Sequence, residues 1–405
     1  MRLVVLGGSG SSTPELFDAL EAWPGGIERR PELEVVLVGR SADKLELVAA
    51  ECRRRVQVPG PPIAVGTATD RRAALDGADV VLNQVRVGGL AARIFDESFP
   101  WAFDLPGEET LGPGGFANAL RTIPALRSTW DDVAAAAPDA LVVNLTNPAG
   151  IVQGAAEREW RLRVVSVCDS PATFAGAIAT RLGRPVERVA RRYVGLNHCG
   201  WYVPEDPAEI DLIADLASGM DPSIARLHGA LPAPYVRYYV VPDRILAGQR
   251  GRETRAQVLQ RLDAELLAAF AARRGDEAPR RGAAWYRLGL VPLVDAWVHG
   301  SEAPIVLGVR NDGCLPEVPD PAILELPHVA PQPGLLVPLA PPPRPSLPAL
   351  ILAEHGRYEA LTVDALVPGA PPEARLRALL ANPLVRDLDR AMGLLRLIDE
   401  RSPGG

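Results

Sequence analysis

The chain has 405 residues, 47% hydrophobic and 23% charged, with a formal net charge of −7; this excludes a disordered or fibrous protein and leaves length for two lobes or one large α/β core. The acidic balance argues against nonspecific nucleic-acid binding, which draws on Lys and Arg against phosphate, and no apolar run approaches the roughly 20 residues that span a bilayer. Neither nucleic acid nor membrane is expected as a partner, and four cysteines without a tight pair or a signal-peptide pattern lead us to expect a reducing cytoplasm.

Met1 to Leu6 reads as a short apolar strand that runs into the glycine-rich turn Gly7-Gly8-Ser9-Gly10-Ser11 and a helix starting near Thr13, with Pro14 in its first turn. Glycines there let the backbone approach a pyrophosphate that the helix N-terminus then stabilises, so Gly7, Gly8, Ser9, Gly10, Ser11 and Thr13 are the candidate cofactor residues. A second run, Val35 to Val38, ends in Gly39-Arg40 where NAD-binding folds usually carry an acid for the ribose 2′-hydroxyl. Arg40 suits a 2′-phosphate equally well, so NADP stays open beside NAD.

Asp79 to Arg86 and Leu141 to Pro148 repeat the pattern of an apolar strand with a polar tip, and a glycine-rich stretch from Pro106 to Asn118 reads as a functional loop. Such strands, separated by Ala-rich helical stretches, predict an α/β fold with an N-terminal Rossmann-like, doubly wound parallel sheet. Val164 to Val167 leads into Cys168-Asp169-Ser170-Pro171, and Tyr193 to Leu196 into Asn197-His198-Cys199. If these two runs are neighbouring strands, Cys168 and His198 meet across the gap and share a metal; the plainer alternative is a buried structural cysteine.

Further on, Tyr235, Tyr238 and Tyr239 cluster at helical spacing, usually a sign of packing. Arg252 to Val258 opens an amphipathic helix whose basic residues suit an anion. Pro331 to Pro348 reads as an extended linker, and Pro371 to Arg401 as one or two helices folded back on the second lobe.

Taken together, these motifs resemble the family-four glycoside hydrolases, the NAD- and manganese-dependent 6-phospho-glycosidases. Resemblance runs through Thr13-Pro14-Glu15-Leu16, Arg86-Val87-Gly88-Gly89 with Arg93 and Asp96-Glu97, Gly107 to Gly115, Leu120 to Pro124, Asn144 to Gly150, Cys168 to Pro171, Gly195 to His198, the tyrosine cluster and Thr254-Arg255-Ala256. It implies a Rossmann-like lobe, 1–170, and a substrate, metal and oligomerisation lobe of mixed α+β structure, 171–405, as in lactate and malate dehydrogenases.

The resemblance also implies a redox-assisted elimination: the nicotinamide takes hydride from sugar C3, a base removes the C2 proton, the leaving group departs, water adds and the hydride returns. By position, Cys168 and His198 match the metal ligands, Tyr235 the C2 base and Asp169 the acid after the cysteine. Arg86, Asn147, Asn197 and Arg255 match substrate positions, Asn147 also lying at the cofactor and Arg255 at the phosphate. A tyrosine serves as base only if a cation lies close to it.

Departures from the family pattern include Ser9-Gly10, Gly39-Arg40, Glu108 and Tyr286-Arg287-Leu288. A small phosphorylated sugar, with β-glucosides preferred over α, is the expected substrate, and a homodimer or homotetramer the expected assembly. Two rivals stand beside this: a lactate- or malate-type dehydrogenase, and a nucleotide-binding relative that has lost the chemistry.

Overall fold

The fold is that of a computed structural model, which describes residues 1–56 and 60–401. Six short strands, β1 (Arg2–Leu6), β2 (Leu33–Val38), β3 (Ile63–Ala68), β4 (Val80–Asn83), β5 (Leu141–Asn144) and β6 (Val164–Ser166), pair in parallel in the order β3-β2-β1-β4-β5-β6. Strands β1, β4, β5 and β6 are almost wholly buried, which is why their sequences are continuous aliphatic runs. The order reverses between β1 and β4, and the crevice at that switch point is where such sheets take their ligands.

Because side chains alternate along a strand, the sheet feeds two cores. Leu3, Val5, Leu37, Leu82 and Val143 pack beneath helices Thr13–Glu21 and Ala42–Arg55 together with Tyr286 and Val294. Val4, Leu6, Val81 and Val142 pack on the other face against Phe116, Ile123 and Trp130 of helix Gly112–Ala136.

The second sheet comprises β7 (Tyr193–Leu196), β8 (Cys199–Tyr202), β9 (Leu231–Pro232), β10 (Ser301–Arg310) and β11 (Ile323–Gln332), ordered β10-β11-β7-β8-β9, with β12 (Leu335–Pro338) on β11. All its pairings are antiparallel. This is the expected architecture, a Rossmann-like sheet joined to a mixed α+β lobe.

Four expectations need correction. β6 and β7 are not neighbours but belong to different sheets, so Cys168 and His198 face each other from separate layers. The proline-dense stretch is not a linker, since it carries the end of β11, all of β12 and the start of helix Ser346–Leu366. The loop from Pro106 ends at Leu111, where helix Gly112–Ala136 begins; a Cβ on Gly114 or Gly115 would sit 2.2 Å from the Glu108 carbonyl or 2.0 Å from that of Thr110. Those glycines serve close packing.

Finally, the C-terminal helices Glu373–Ala381 and Leu388–Arg401 pack on the first lobe: Ala378, Leu379, Leu394 and Ile398 share a core with Val4 and Leu6. Their Leu and Ala pattern defines an apolar face but does not say which layer receives it.

Candidate active site

At the carboxyl end of β1 the backbone N–H groups of Gly7 and Gly8 both donate to the Val38 carbonyl, at 3.0 and 2.9 Å, drawing the turn tightly against β2. A Cβ on Gly8 would lie 2.7 Å from Leu37 Cβ, and Gly7 has φ of 85°, so neither position accepts a side chain without displacing the turn. Ser11 Oγ donates to Asp263 at 2.6 Å, and Gln84 ties Thr13 Oγ1, at 3.1 Å, to the Tyr286 hydroxyl, at 2.6 Å. A glycine turn held this close to its sheet, opening onto the N-terminus of helix Thr13–Glu21, fits a pyrophosphate. Arg40 stands exposed just past the end of β2.

Cys168 follows β6 at the position just before helix Asp169–Leu182, and both Cys168 and Asp169 are half-buried residues. His198 lies in the two-residue turn between β7 and β8, in a left-handed conformation with φ of 60°. For a histidine that conformation costs about 1 kcal/mol, and here it turns the ring toward Cys168. Burial raises the Cys168 thiol above its ordinary value, while the imidazole against it pulls the other way. Burial likewise opposes the imidazolium, but the Cys168 thiol and Glu108 outweigh it and hold His198 well above its ordinary value.

His198 Nδ1 is buried, has no hydrogen-bond partner among the described residues and stands 3.9 Å from Glu108 Oε2. Glu108 in turn accepts from the Thr110 and Leu111 N–H groups at 2.6 and 2.8 Å. Among the described residues no three His, Cys, Asp or Glu side chains converge into a closed metal cage. A thiol and an imidazole with an unsatisfied ring nitrogen make an open two-ligand pair, whose donors fit a divalent ion with positions left for ligand oxygens.

Tyr235 sits in the short turn Pro234–Val236 that leads into helix Arg237–Val240. Its ring stacks on His198 with centroids 3.7 Å apart. His198 draws the Tyr235 hydroxyl down, yet burial and the negative charges of Glu108, Cys168 and Asp169 leave it above the ordinary phenol value. A cation at the Cys168 and His198 pair would cancel that excess. Burial, then the nearby His198, act in opposite senses on Asp169, and burial prevails, raising its carboxyl. The three tyrosines do not share one role in packing: Tyr238 lines a cavity and Tyr239 bonds His355 at 3.0 Å.

That cavity, about 390 Å³, is bounded by Arg93, Glu108, Tyr235, Tyr238, Gln249 and Arg255. Arg255 is the first residue of helix Arg255–Ala271, which Thr254 and Gln257 close with a reciprocal capping box. Arg86 and Asn147 border a smaller cavity at the tips of β4 and β5. Both reach Glu109, Arg86 by a salt bridge and Asn147 Nδ2 at 3.4 Å, and Arg93 adds a second salt bridge at 2.8 Å. Burial alone would raise Glu109, but the two guanidiniums overcome it and hold the carboxyl at about 2. Asn197 is buried beneath β11 with its amide donating to Glu325 at 2.8 Å, so it faces that carboxylate.

Sequence reading gave no role to Glu109, Glu325 or Gln249. Gln249 bonds both backbone groups of Gly107, at 2.9 and 2.7 Å, and Trp101 at 3.2 Å, fastening the strap that carries Glu108. A glutamine in a helix carries no periodic or motif signal, and the acids were hidden among other charged residues.

A doubly wound dinucleotide-type sheet with a thiol, an imidazole and a tyrosine brought together beyond its last strand defines a class of Rossmann-fold enzymes. The family model "Family 4 glycosyl hydrolase" matches residues 3–184 and "Family 4 glycosyl hydrolase C-terminal domain" matches residues 193–385. The chain belongs to family 4 of the glycosyl hydrolases.

Among its relatives, a probable 6-phospho-beta-glucosidase of Bacillus subtilis is 30% identical, over 95% of this chain and 92% of that one. A maltose-6′-phosphate glucosidase of the same organism is 26% identical, over 90% of this chain and 87% of that one. The 6-phospho-beta glucosidase of Thermotoga maritima, whose structure was solved with NAD and glucose-6-phosphate, superposes with a TM-score of 0.88 at 27% identity, covering 99% of this chain and 98% of that one. A malate dehydrogenase of Naegleria fowleri, at 13% identity and a TM-score of 0.55 over 91% of this chain and 98% of that one, shares the fold alone. No helix among the described residues is long and apolar enough to cross a membrane.

Proposed function

We propose that this glycosyl hydrolase cleaves a 6-phosphorylated glycoside, β-linked glucosides ahead of α-linked ones, by C2 deprotonation and elimination. The observation that carries the reading is the stack of Tyr235 on His198 beside the Cys168 thiol, three residues from three elements, with Tyr235 at the wall of the cavity that Arg255 also lines. The β preference is supported by two relatives named 6-phospho-beta-glucosidases, one of them a probable one, at 30% and 29% identity.

The turn from Gly7 to Thr13, with Asn147 beside it, would hold NAD, and Cys168 with His198 a manganese or similar divalent ion. When bound, these supply a hydride acceptor at sugar C3 and a Lewis acid for the C2 and C3 oxygens. Tyr235 accepts the C2 proton on its phenolate oxygen. Asp169, its carboxyl raised by burial, is suited to donate a proton to the departing oxygen. Arg255 offers a paired-donor guanidinium to the sugar phosphate, with Arg86 and Asn147 positioning the glycone, while Asn197, turned onto Glu325, supports the His198 turn from behind. Residues 1–170 carry the cofactor turn, and 171–405 serve the substrate and metal together with Arg86, Asn147, Cys168 and Asp169 from the first lobe. This division is functional, since the last helices complete the first core. A cytoplasmic homodimer or homotetramer belongs to the same reading, to be checked by light scattering.

Turnover in deuterated water tests the mechanism. Elimination places deuterium at C2 of the released sugar for either anomer, whereas displacement by two carboxylates leaves C2 untouched. Cleavage with no label at C2 sinks the proposal. Oxidation of a hydroxy acid without any metal would favour a dehydrogenase, and cofactor binding with no turnover on any phosphorylated glycoside a silent relative.

A further inference from the structure

We propose that Arg281 is a phosphate-binding residue, placed where the arginines of the substrate cavities come within reach of the cofactor turn. The proposal deepens the phosphoglycoside reading and rests on it for the nature of the ligand.

Arg281 lies between helix Arg255–Ala271 and the segment leading to Tyr286, and Glu15 fixes its backbone. That carboxylate, in the first turn of the helix after the glycine turn, accepts from the N–H groups of Arg281, Gly282 and Ala283, the last at 2.7 Å. The Arg281 side chain is only 13% exposed, and its one salt bridge among the described residues is to Asp263, Nε to Oδ1 at 3.3 Å. The same Asp263 oxygen accepts from Ser11 of the glycine turn at 2.6 Å. Arg281 is thus held from behind by its backbone and from the side by a carboxylate shared with the cofactor turn.

What it faces is more positive charge. Burial first of all, and after it Arg86, Arg93 and Arg255, hold its guanidinium below the ordinary value despite Asp263. The cluster is partly compensated: Glu109 takes Arg86 and Arg93, and Glu97 takes Arg93. Glu97 also accepts from the Ala256 N–H at 2.7 Å, anchoring the start of the helix that carries Arg255. Arg255 itself has no salt bridge among the described residues. Counting Glu108, which lines the cavity with Arg93 and Arg255, four guanidiniums meet four carboxylates, and the only one of these paired with Arg281 is Asp263, which it shares with Ser11.

A buried guanidinium with a single carboxylate at its Nε edge, held beside a glycine turn that fits a pyrophosphate, has donors to offer an anion. Arg281 has one donor edge engaged at a long 3.3 Å, leaving its terminal nitrogens for two oxygens of a phosphate. Two ligands of the proposed reaction carry that group, the sugar phosphate and the dinucleotide pyrophosphate.

Calorimetric titration of wild type, Arg281→Gln and Arg281→Lys with glucose-6-phosphate, inorganic phosphate and NAD decides the matter. Arg281→Gln is expected to bind at least one of them tenfold or more weakly, with Arg281→Lys between it and wild type because lysine offers no paired donors. A loss confined to glucose-6-phosphate and inorganic phosphate assigns the contact to the sugar phosphate. A loss confined to NAD assigns it to the pyrophosphate. Wild-type affinity of Arg281→Gln for all three, or of Arg281→Lys where the glutamine variant does not fold, overturns the proposal and leaves the glycosidase reading intact. A wild type that binds NAD but not glucose-6-phosphate overturns the phosphoglycoside reading, and the NAD titration of the variants still judges Arg281.

Discussion

The imidazole of His198 lies flat on the ring of Tyr235, with 3.7 Å between centroids and 5° between planes. The proposed base and a proposed metal ligand are therefore one packed unit, and a change that keeps the ring separates chemistry from structure. Tyr235→Phe should keep the stack, bind cofactor and metal normally and lose turnover by roughly a thousandfold together with C2 exchange. Normal exchange in this variant would move the base to Tyr238, Tyr239 or a metal-bound hydroxide.

Manganese added to metal-stripped wild type should restore activity and raise thermal stability. At a hundredfold excess over its dissociation constant a bound ion contributes about 2.7 kcal/mol. Cys168→Ser should lose most of that thermal shift, because a hydroxyl is a far poorer ligand than a thiolate. Full activity of Cys168→Ser without metal would exclude the site.

Cofactor choice is read at Arg40, which stands exposed beyond β2. Arg40→Asp should weaken NADP binding by tenfold or more and leave NAD binding equal or tighter, since an acid there bonds the ribose 2′-hydroxyl and repels a 2′-phosphate. Gly8→Ala, whose added methyl would fall 2.7 Å from Leu37 Cβ, should weaken both dinucleotides and destabilise the fold by roughly 1–3 kcal/mol. Unchanged binding of both in Gly8→Ala would remove the turn from the cofactor site.

Glu109 gives the acid limb of stability a definite sign. Its carboxyl is depressed in the folded protein to about 2, so its contribution is complete above the unfolded carboxylate value near pH 4.3 and is lost as pH falls toward 2. The amount is on the order of 3 kcal/mol. Glu109→Gln should flatten that limb and lower stability near neutrality by roughly 3–5 kcal/mol, because two guanidiniums lose their shared partner. Acid denaturation curves for the two proteins check both statements.

Five strands of the first lobe were legible because each is a local signal: an aliphatic run, a polar tip and, after β1, a glycine turn; edge strand β3, Ile63–Ala68, is half-exposed, lacks such a run and was not read. Cys168 and His198 stood out for the same reason, as reactive side chains at the ends of such runs, whereas Tyr235 showed only as one of a tyrosine cluster and took its role from the resemblance. The meeting of Cys168 and His198 was expected, but its route was not legible, since β6 and β7 lie in different sheets and only the packing of the two lobes brings them together. Nor was the destination of the C-terminal helices, whose apolar faces suit either lobe. Glu109 and Arg281 escaped notice because an ion-pair network has no sequence period.

One consequence follows for the making of the protein. Val4 and Leu6 share a core with Ala391, Leu394 and Ile398, and a Cβ on Gly393 would lie only 2.4 Å from the Phe103 ring. A chain still on the ribosome therefore carries all six strands and helix Gly112–Ala136 with the core on that face incomplete until helix Leu388–Arg401 has emerged. Nascent chains halted before Leu388 should be cut by protease within residues 99–136, and the same segment should become resistant once Arg401 is out.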